Sequence, residues 1–129
     1  MKASAVALRN QKQTRWTLVG IWMAVITAGS LVPGATALPA SDFAFHAFAY
    51  GVLAWLLARA LAARPALRNA VGAAVLAWLF GFLLEGAQWF HPDRTYEVRD
   101  LIANAYGVAG GAVLALLTVR VVSVRKGAP

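Results

Sequence analysis

Four long apolar runs alternate with short polar segments along the chain. They extend from Trp16 to about Val32, from after Asp42 to about Ala63, from Ala66 to Phe90, and from Leu101 to about Val122. At about 1.5 Å per residue in an α-helix, each run can cross a hydrocarbon core about 30 Å thick. The runs are rich in Ala and Leu and show no period-two alternation, so strands are disfavoured. The pattern predicts an all-α, integral membrane four-helix bundle.

Composition indicates that lipid covers much of this chain. Of its 129 residues, 60% are hydrophobic and 13% are charged, whereas a soluble domain carries roughly 25% charged residues. A soluble core of this size cannot hide so much apolar surface. Because the chain has no cysteine, a disulfide framework, a thiolate metal site and a cysteine nucleophile are excluded. We predict a basic segment (1–15), a transmembrane domain (16–124) and a short tail (125–129), with no metal and no cofactor.

The positions of the basic residues predict how the chain crosses the membrane. Lys and Arg are concentrated in the N-terminal segment, around the second turn and at the C-terminus, whereas the first loop (33–41) has none. The third loop has only Arg94 and Arg99, balanced by neighbouring acidic residues. The positive-inside rule then places both termini in the cytoplasm and the first and third loops outside. This topology signal accounts for the net charge of +7, and we expect no nucleic-acid partner.

A second interpretation of the first run remains open. Basic residues, an apolar run and then Ala35-Thr36-Ala37 resemble a secretory signal peptide with a small-residue cleavage site. The basic region is long and the run is at the upper limit for such a segment, so we favour an uncleaved first span. Both interpretations leave the later loops on the same side.

Polar residues recur at helical spacing on three of the predicted spans. They are Asp42, His46 and Tyr50 on the second, Gly81, Glu85 and Gln88 on the third, and Asp100, Asn104, Gly107 and Gly111 on the fourth. Residues at such spacing share one face of a helix. In the predicted topology all three faces lie in the outward halves of their helices. We therefore predict a site at this membrane level, with Arg94 above it.

Glu85 gives the strongest indication of a site. An unpaired charge within an apolar run costs several kcal/mol, so this carboxyl group must be paired, protonated or exposed to a wet cavity. Arg94 is the first expected partner and His46 the second. A Glu–Arg pair could simply hold the third loop in place. It could also form half of a headgroup site, because Arg binds phosphate or carboxylate through two hydrogen bonds.

Packing offers an alternative explanation for individual members of the set. Gly107 and Gly111 favour close helix packing, and Asn104 can bond a neighbouring helix. Aspartates that precede helices act as N-caps, and a single His on an apolar helix is more often a packing residue. These explanations account poorly for a whole set on converging faces. The predicted binding residues are Asp42, His46, Tyr50, Glu85, Gln88, Arg94, Asp100 and Asn104.

These motifs resemble the VanZ-like family of small multi-pass bacterial membrane proteins. The family pattern is similar to Asp-Lys-x-x-His-x-x-x-Tyr, then Glu-x-x-Gln-x-Phe-x-Pro-x-Arg, then Asp-x-x-x-Asn-x-x-Gly-x-x-x-Gly. The chain matches it with Asp42, His46 and Tyr50, with Glu85, Gln88, Phe90, Pro92 and Arg94, and with Asp100, Asn104, Gly107 and Gly111. Phe43 stands where the family commonly has Lys, which removes one expected contact to an anion. Arg94 or Arg99 could replace that positive charge.

The resemblance implies a protein of the bacterial cytoplasmic membrane with a role in the cell envelope. The family takes its name from a protein linked to glycopeptide (teicoplanin) resistance. Our first hypothesis is binding of membrane lipid, through an anionic headgroup or a lipid-linked cell-wall precursor at the outer leaflet. The alternative is a membrane-embedded hydrolase or transferase, with Glu85 as general acid or base and His46 as its partner. A transporter or a structural partner of a larger complex is the third. No oligomeric state is predicted.

Overall fold

The computed structural model describes residues 2–31, 39–61, 65–90 and 98–127. These residues form four helices: α1 (Lys2–Leu31), α2 (Pro39–Ala60), α3 (Ala66–Gln88) and α4 (Val98–Gly127). No strand occurs within these ranges. The prediction of an all-α, four-helix protein is confirmed.

Three of the four helices are long and apolar enough to cross a membrane. These segments are Phe43–Ala60 in α2, Ala66–Gln88 in α3 and Val98–Thr118 in α4. α1 is not among them, because threonine, glycine and serine interrupt its apolar half and its first half is polar. The protein is therefore a membrane protein with three candidate spans. A fourth crossing by α1, and the direction of insertion, stay predictions.

α1 extends well before the first apolar run. Residues 2–15 contain neither Gly nor Pro and consist mainly of Ala, Leu, Lys, Arg and Gln, which have high helix propensity. Residues 6–14 are all exposed, so this part of α1 stands clear of the other helices. The predicted basic segment is thus the first half of a continuous helix.

Helices that follow one another in the chain run in opposite directions. In the middle of α1, Arg15 Nη1 donates to the carbonyl of Arg59 near the end of α2 (3.1 Å). At the other end of the bundle, Gln88 Nε2 donates to the carbonyl of Ser30 near the end of α1 (2.8 Å). α2 and α4 therefore begin at the end where α1 and α3 finish.

The charged residues divide between these two ends. The acidic end comprises the starts of α2 and α4 and the finishes of α1 and α3. Among the charged side chains that the structure describes, Glu85, Asp100 and Arg99 lie at this end. The opposite, basic end has no acidic side chain among the described residues and holds Arg9, Lys12, Arg15, Arg59 and Arg68.

The closest helix contact is between α2 and α4, which run parallel. A Cβ on Gly107 would overlap the backbone of Ala47, and one on Gly111 would overlap the backbone of Gly51. Small residues allow backbones in membranes to approach this closely. The contact sets the relative height of α2 and α4, and with it the height of their polar side chains.

α1 is fixed to this core by an indole. Trp22 Nε1 donates to the carbonyl of Ala49 (2.9 Å), and the edge of the Trp22 ring packs against Phe48, with the centroids 6.4 Å apart. The apolar centre of the bundle includes the fully buried residues Leu53, Ala54, Ala73 and Ala77. The polar side chains of the acidic end lie beside this core.

Candidate functional site

A chain of polar contacts joins the first two turns of α4 to the second turn of α2. His46 Nδ1 lies 3.0 Å from Asn104 Oδ1, and His46 Nε2 lies 3.6 Å from Asp100 Oδ2. Asp100 and Asn104 are four residues apart on α4, so both face the same ring. The side chains of His46 and Asp100 are each only 12% exposed. The α2–α4 contact at Gly107 thus continues as a buried polar contact toward the acidic end.

Both ring nitrogens of His46 face protein oxygens. Neutral imidazole carries one N–H donor, whereas imidazolium carries two. The protonated ring can therefore donate to Asn104 Oδ1 and Asp100 Oδ2 together, and the Asp100 carboxylate then offsets its charge. Charged groups at membrane depth are retained when they are paired in this way.

Tyr50 extends the contacts toward α3. Its ring is 2% exposed and lies nearly parallel to that of His46, with centroids 6.3 Å apart and an interplanar angle of 14°. On α3, a Cβ at Gly81 would lie 2.8 Å from Tyr50 Cε1 and 3.0 Å from Asn104 Nδ2. α3 can close over Tyr50 and Asn104 because residue 81 has no side chain.

Glu85 lies one turn after Gly81 and is 3% exposed. The carboxyl groups of Glu85 and Asp100 are both close enough to Tyr50 to interact electrostatically with its phenol. Two carboxyl groups, an imidazole, a phenol and an amide are therefore buried together at the acidic end. The name polar cluster is used below for His46, Tyr50, Glu85, Asp100 and Asn104.

The amide of Asn104 is only partly satisfied. The residue is 1% exposed, and its Oδ1 faces His46. Its Nδ2 has no hydrogen-bond partner among the residues that the structure describes. Buried polar atoms of this kind are rare and mark a functional group or a position that holds water. The polar cluster therefore contains a spare N–H donor.

Gln88 bonds to α1. Its Nε2 donates to the backbone carbonyl of Ser30, so the side chain joins α3 to α1. The sequence pattern places Gln88 with Glu85 on one face of α3 and does not predict a contact of Gln88 with α1. Helical spacing alone gives no signal for this contact, because it depends on where α1 packs.

An aromatic and cationic rim lies beside the polar cluster. The Arg99 guanidinium carbon lies 5.9 Å from the centroid of the Phe43 ring, and the Phe43 ring packs on Tyr106 with centroids 6.2 Å apart. Arg99 is exposed. The structure thus brings a positive charge next to Phe43, the position at which the family pattern has Lys.

Two predicted site residues fall outside what the structure describes. Arg94 belongs to residues 91–97, and the side chain of Asp42 is likewise outside, although its backbone is part of α2. Their roles stay predictions. Within the described ranges, no group of three or more His, Cys, Asp or Glu could hold a metal ion.

Comparison with known proteins identifies the family. The family model VanZ/LLP1 matches residues 9–119, a range that contains α2 and α3 whole, most of α1 and α4, and the whole polar cluster. No curated protein and no solved structure matches the chain. The match confirms the resemblance seen in the sequence motifs, and the chain belongs to the VanZ/LLP1 family.

Proposed function

We propose that this membrane protein binds the anionic headgroup of a lipid, or of a lipid-linked cell-wall precursor, at the outer leaflet. The observation that carries the proposal is a cluster of five polar side chains on three membrane helices, four buried and His46 12% exposed, next to the exposed cation of Arg99. Polar and ionisable groups inside a membrane are expensive, and they commonly mark binding or transport sites.

The first turn of α4 supplies the features that an anion requires. Arg99 provides a planar guanidinium suited to bidentate contacts with phosphate or carboxylate. The free backbone N–H groups at a helix start attract negative charge. His46 contacts Asp100 and Asn104 and thereby fixes this turn of α4 against α2. The buried contacts would hold the Arg99 backbone in place, and Arg94 is the predicted second cation.

The contacts of His46 favour a binding function over one in which this residue acts as a general acid or base. Each of its ring nitrogens already faces a protein oxygen, whereas a general base needs a nitrogen within reach of the substrate proton. In this arrangement His46 is a positioning residue.

The proposal is tested by lipid binding to purified protein in detergent, followed by native mass spectrometry. The probes are a polyprenyl phosphate, phosphatidylglycerol and phosphatidylcholine. Arg99→Ala and Arg94→Ala should each weaken binding of the anionic probes about tenfold or more, since hydrogen bonds to charged groups contribute roughly 1.5–3 kcal/mol. Arg68→Ala, which removes an exposed arginine of α3 at the basic end, is the matched control. Unchanged binding in the Arg94→Ala, Arg99→Ala double variant would contradict the proposal.

A membrane-embedded hydrolase or transferase is the second candidate, and the burial of Glu85 favours it. A carboxyl group kept from water can transfer a proton in the membrane interior. The same assay distinguishes the two, because Glu85→Gln should keep the bound polyprenyl phosphate and abolish its turnover. If the unaltered protein does not convert a lipid-linked substrate, this candidate fails.

The proposed location is the bacterial cytoplasmic membrane, with the acidic end facing outward. The concentration of Lys and Arg at the basic end supports this orientation. A connection to glycopeptide resistance is supported by the family name alone, and it belongs to the same proposal, since glycopeptides act on cell-wall precursors outside the membrane.

A further inference from the structure

A second, largely apolar feature lies beside the α2–α4 contact. It is a groove of about 300 Å³, called here the α2/α4 groove. Its walls are formed by Phe48 and Trp55 of α2 and by Tyr106 and Leu114 of α4, and Gly110 lies between them. All of these residues belong to the candidate membrane segments, so the groove opens toward the hydrocarbon of the bilayer.

The groove exists because α4 has glycine at three positions of this face. The contact with α2 requires glycine at positions 107 and 111, since a Cβ on either would overlap the α2 backbone. Gly110 is different, because a Cβ built on it meets nothing within 4 Å. The helix packing therefore does not require glycine at position 110. A side chain there would only fill the groove.

Positive charge lies at the basic end of the groove. The guanidinium carbon of Arg59, one turn after Trp55, lies 5.0 Å from the centroid of the Trp55 ring. The Arg15 guanidinium donates to the carbonyl of Arg59, so a second cation is adjacent. The sequence has no acidic residue between Asp42 and Glu85, and both of these lie at the opposite end. The basic ends of α2 and α3 hence supply no carboxylate to compensate Arg59.

We propose that the α2/α4 groove binds one acyl chain of an anionic phospholipid whose phosphate contacts Arg59 and Arg15. The groove supplies apolar surface for the chain, and the two guanidinium groups supply the charge complementary to the headgroup. This lipid belongs to the leaflet at the basic end, which is the cytoplasmic leaflet in the predicted topology. It is distinct from the headgroup site proposed at the acidic end and does not depend on it.

A second copy of the chain fits the groove less well. A helix with its side chains is about 10–12 Å across, whereas the groove has a volume of only about 300 Å³. Two copies with the same orientation, related by a two-fold axis beside the groove, would also bring Arg59 of each copy together. Like charges at a helix interface are unfavourable, whereas an anionic headgroup neutralises them.

Photocrosslinking in nanodiscs tests the proposal. The full-length protein is incorporated with phosphatidylglycerol that carries a diazirine in its acyl chain, and crosslinked peptides are identified after digestion. Crosslinks should form on residues 106–114 of α4 and be displaced by unlabelled phosphatidylglycerol, with phosphatidylcholine of the same chains a weaker competitor. Gly110→Leu should abolish these crosslinks, and Gly110→Ala should reduce them. Gly20→Leu on α1, where the added side chain also meets open space, should leave them unchanged.

The headgroup contact is tested separately in the same nanodiscs. Arg59→Gln should reduce the preference for phosphatidylglycerol over phosphatidylcholine about fivefold, the size of the attraction of one cation to an anionic surface. Arg68→Gln serves as its control. Persistence of the competed crosslinks in a helical Gly110→Leu protein would overturn the proposal. So would a dimer of the unaltered protein that Gly110→Leu dissociates, because a second copy would then occupy the groove.

Discussion

At the scale of single residues, His46 couples α2 to α4. One side chain faces an amide and a carboxylate of the neighbouring helix, and its ring stacks on the buried ring of Tyr50. Neither a lipid tail nor an alanine methyl group can replace these hydrogen bonds. The energy of such a bond in a membrane is modest, about 0.6–2 kcal/mol, because the unfolded chain also finds partners.

A double-mutant cycle on His46 and Asn104 measures this coupling. His46→Ala, Asn104→Ala and the double variant should show a coupling free energy of unfolding of about 0.6–1.7 kcal/mol, measured by SDS titration of the purified protein. The control is the cycle of His46→Ala with Asn69→Ala, because Asn69 is buried at the start of α3, at the basic end. Distant sites without shared partners are additive, so coupling of equal size in both cycles would contradict the direct bond.

At the scale of helices, the glycines of α4 have two different roles. Gly107 and Gly111 set the distance between α2 and α4, whereas Gly110 faces open space. The polar contacts of His46 lie within one turn of this contact between α2 and α4, which is called the α2–α4 seam. The glycine contact therefore also sets the geometry of the polar cluster. A substitution at the seam therefore affects stability and binding together.

The matched substitutions Gly107→Ala and Gly110→Ala should change stability in opposite directions. Alanine is favoured over glycine by about 0.8–1 kcal/mol in a helix interior, so Gly110→Ala should raise the free energy of unfolding by up to that amount. In Gly107→Ala the added methyl meets the Ala47 backbone, and overpacking of this kind costs about 1–3 kcal/mol. SDS titration of both variants is the measurement, and equal effects would show that the α2–α4 seam is looser than described.

The elements and the contacts between them differ in how far the sequence could predict them. Apolar runs and spacing were sufficient for four helices, and the motif residues for the family, because both signals lie within one helix or one short segment. The helix that the α4 glycines contact was not predictable, since the contact depends on Ala47 and Gly51 facing glycines sixty residues away. The bond of Gln88 to α1 was missed for the same reason.

At the scale of the whole molecule, charge is divided along the bundle axis. Among the described side chains, Glu85 and Asp100 lie at one end, and Arg9, Lys12, Arg15, Arg59 and Arg68 lie at the other. α1 belongs to this arrangement as a packed element, because its loss would remove the acceptor of the buried Gln88 amide and the indole bound to Ala49. This packing supports retention of the first helix over its cleavage.

The chain contains no cysteine, so single cysteines can report the direction of insertion without background. Gln11→Cys lies in the exposed basic half of α1, and Phe90→Cys replaces a side chain that is 88% exposed at the acidic end. The positive-inside rule predicts that a membrane-impermeant maleimide labels Phe90→Cys in intact cells and labels Gln11→Cys only after permeabilisation. The reverse pattern would place the polar cluster at the inner leaflet and contradict the proposed outer site. If Gln11→Cys is absent from the mature protein, α1 is cleaved, and Gln88 must find another acceptor. With the predicted labelling, the outward position of the polar cluster follows directly, since Phe90 is only five residues beyond Glu85.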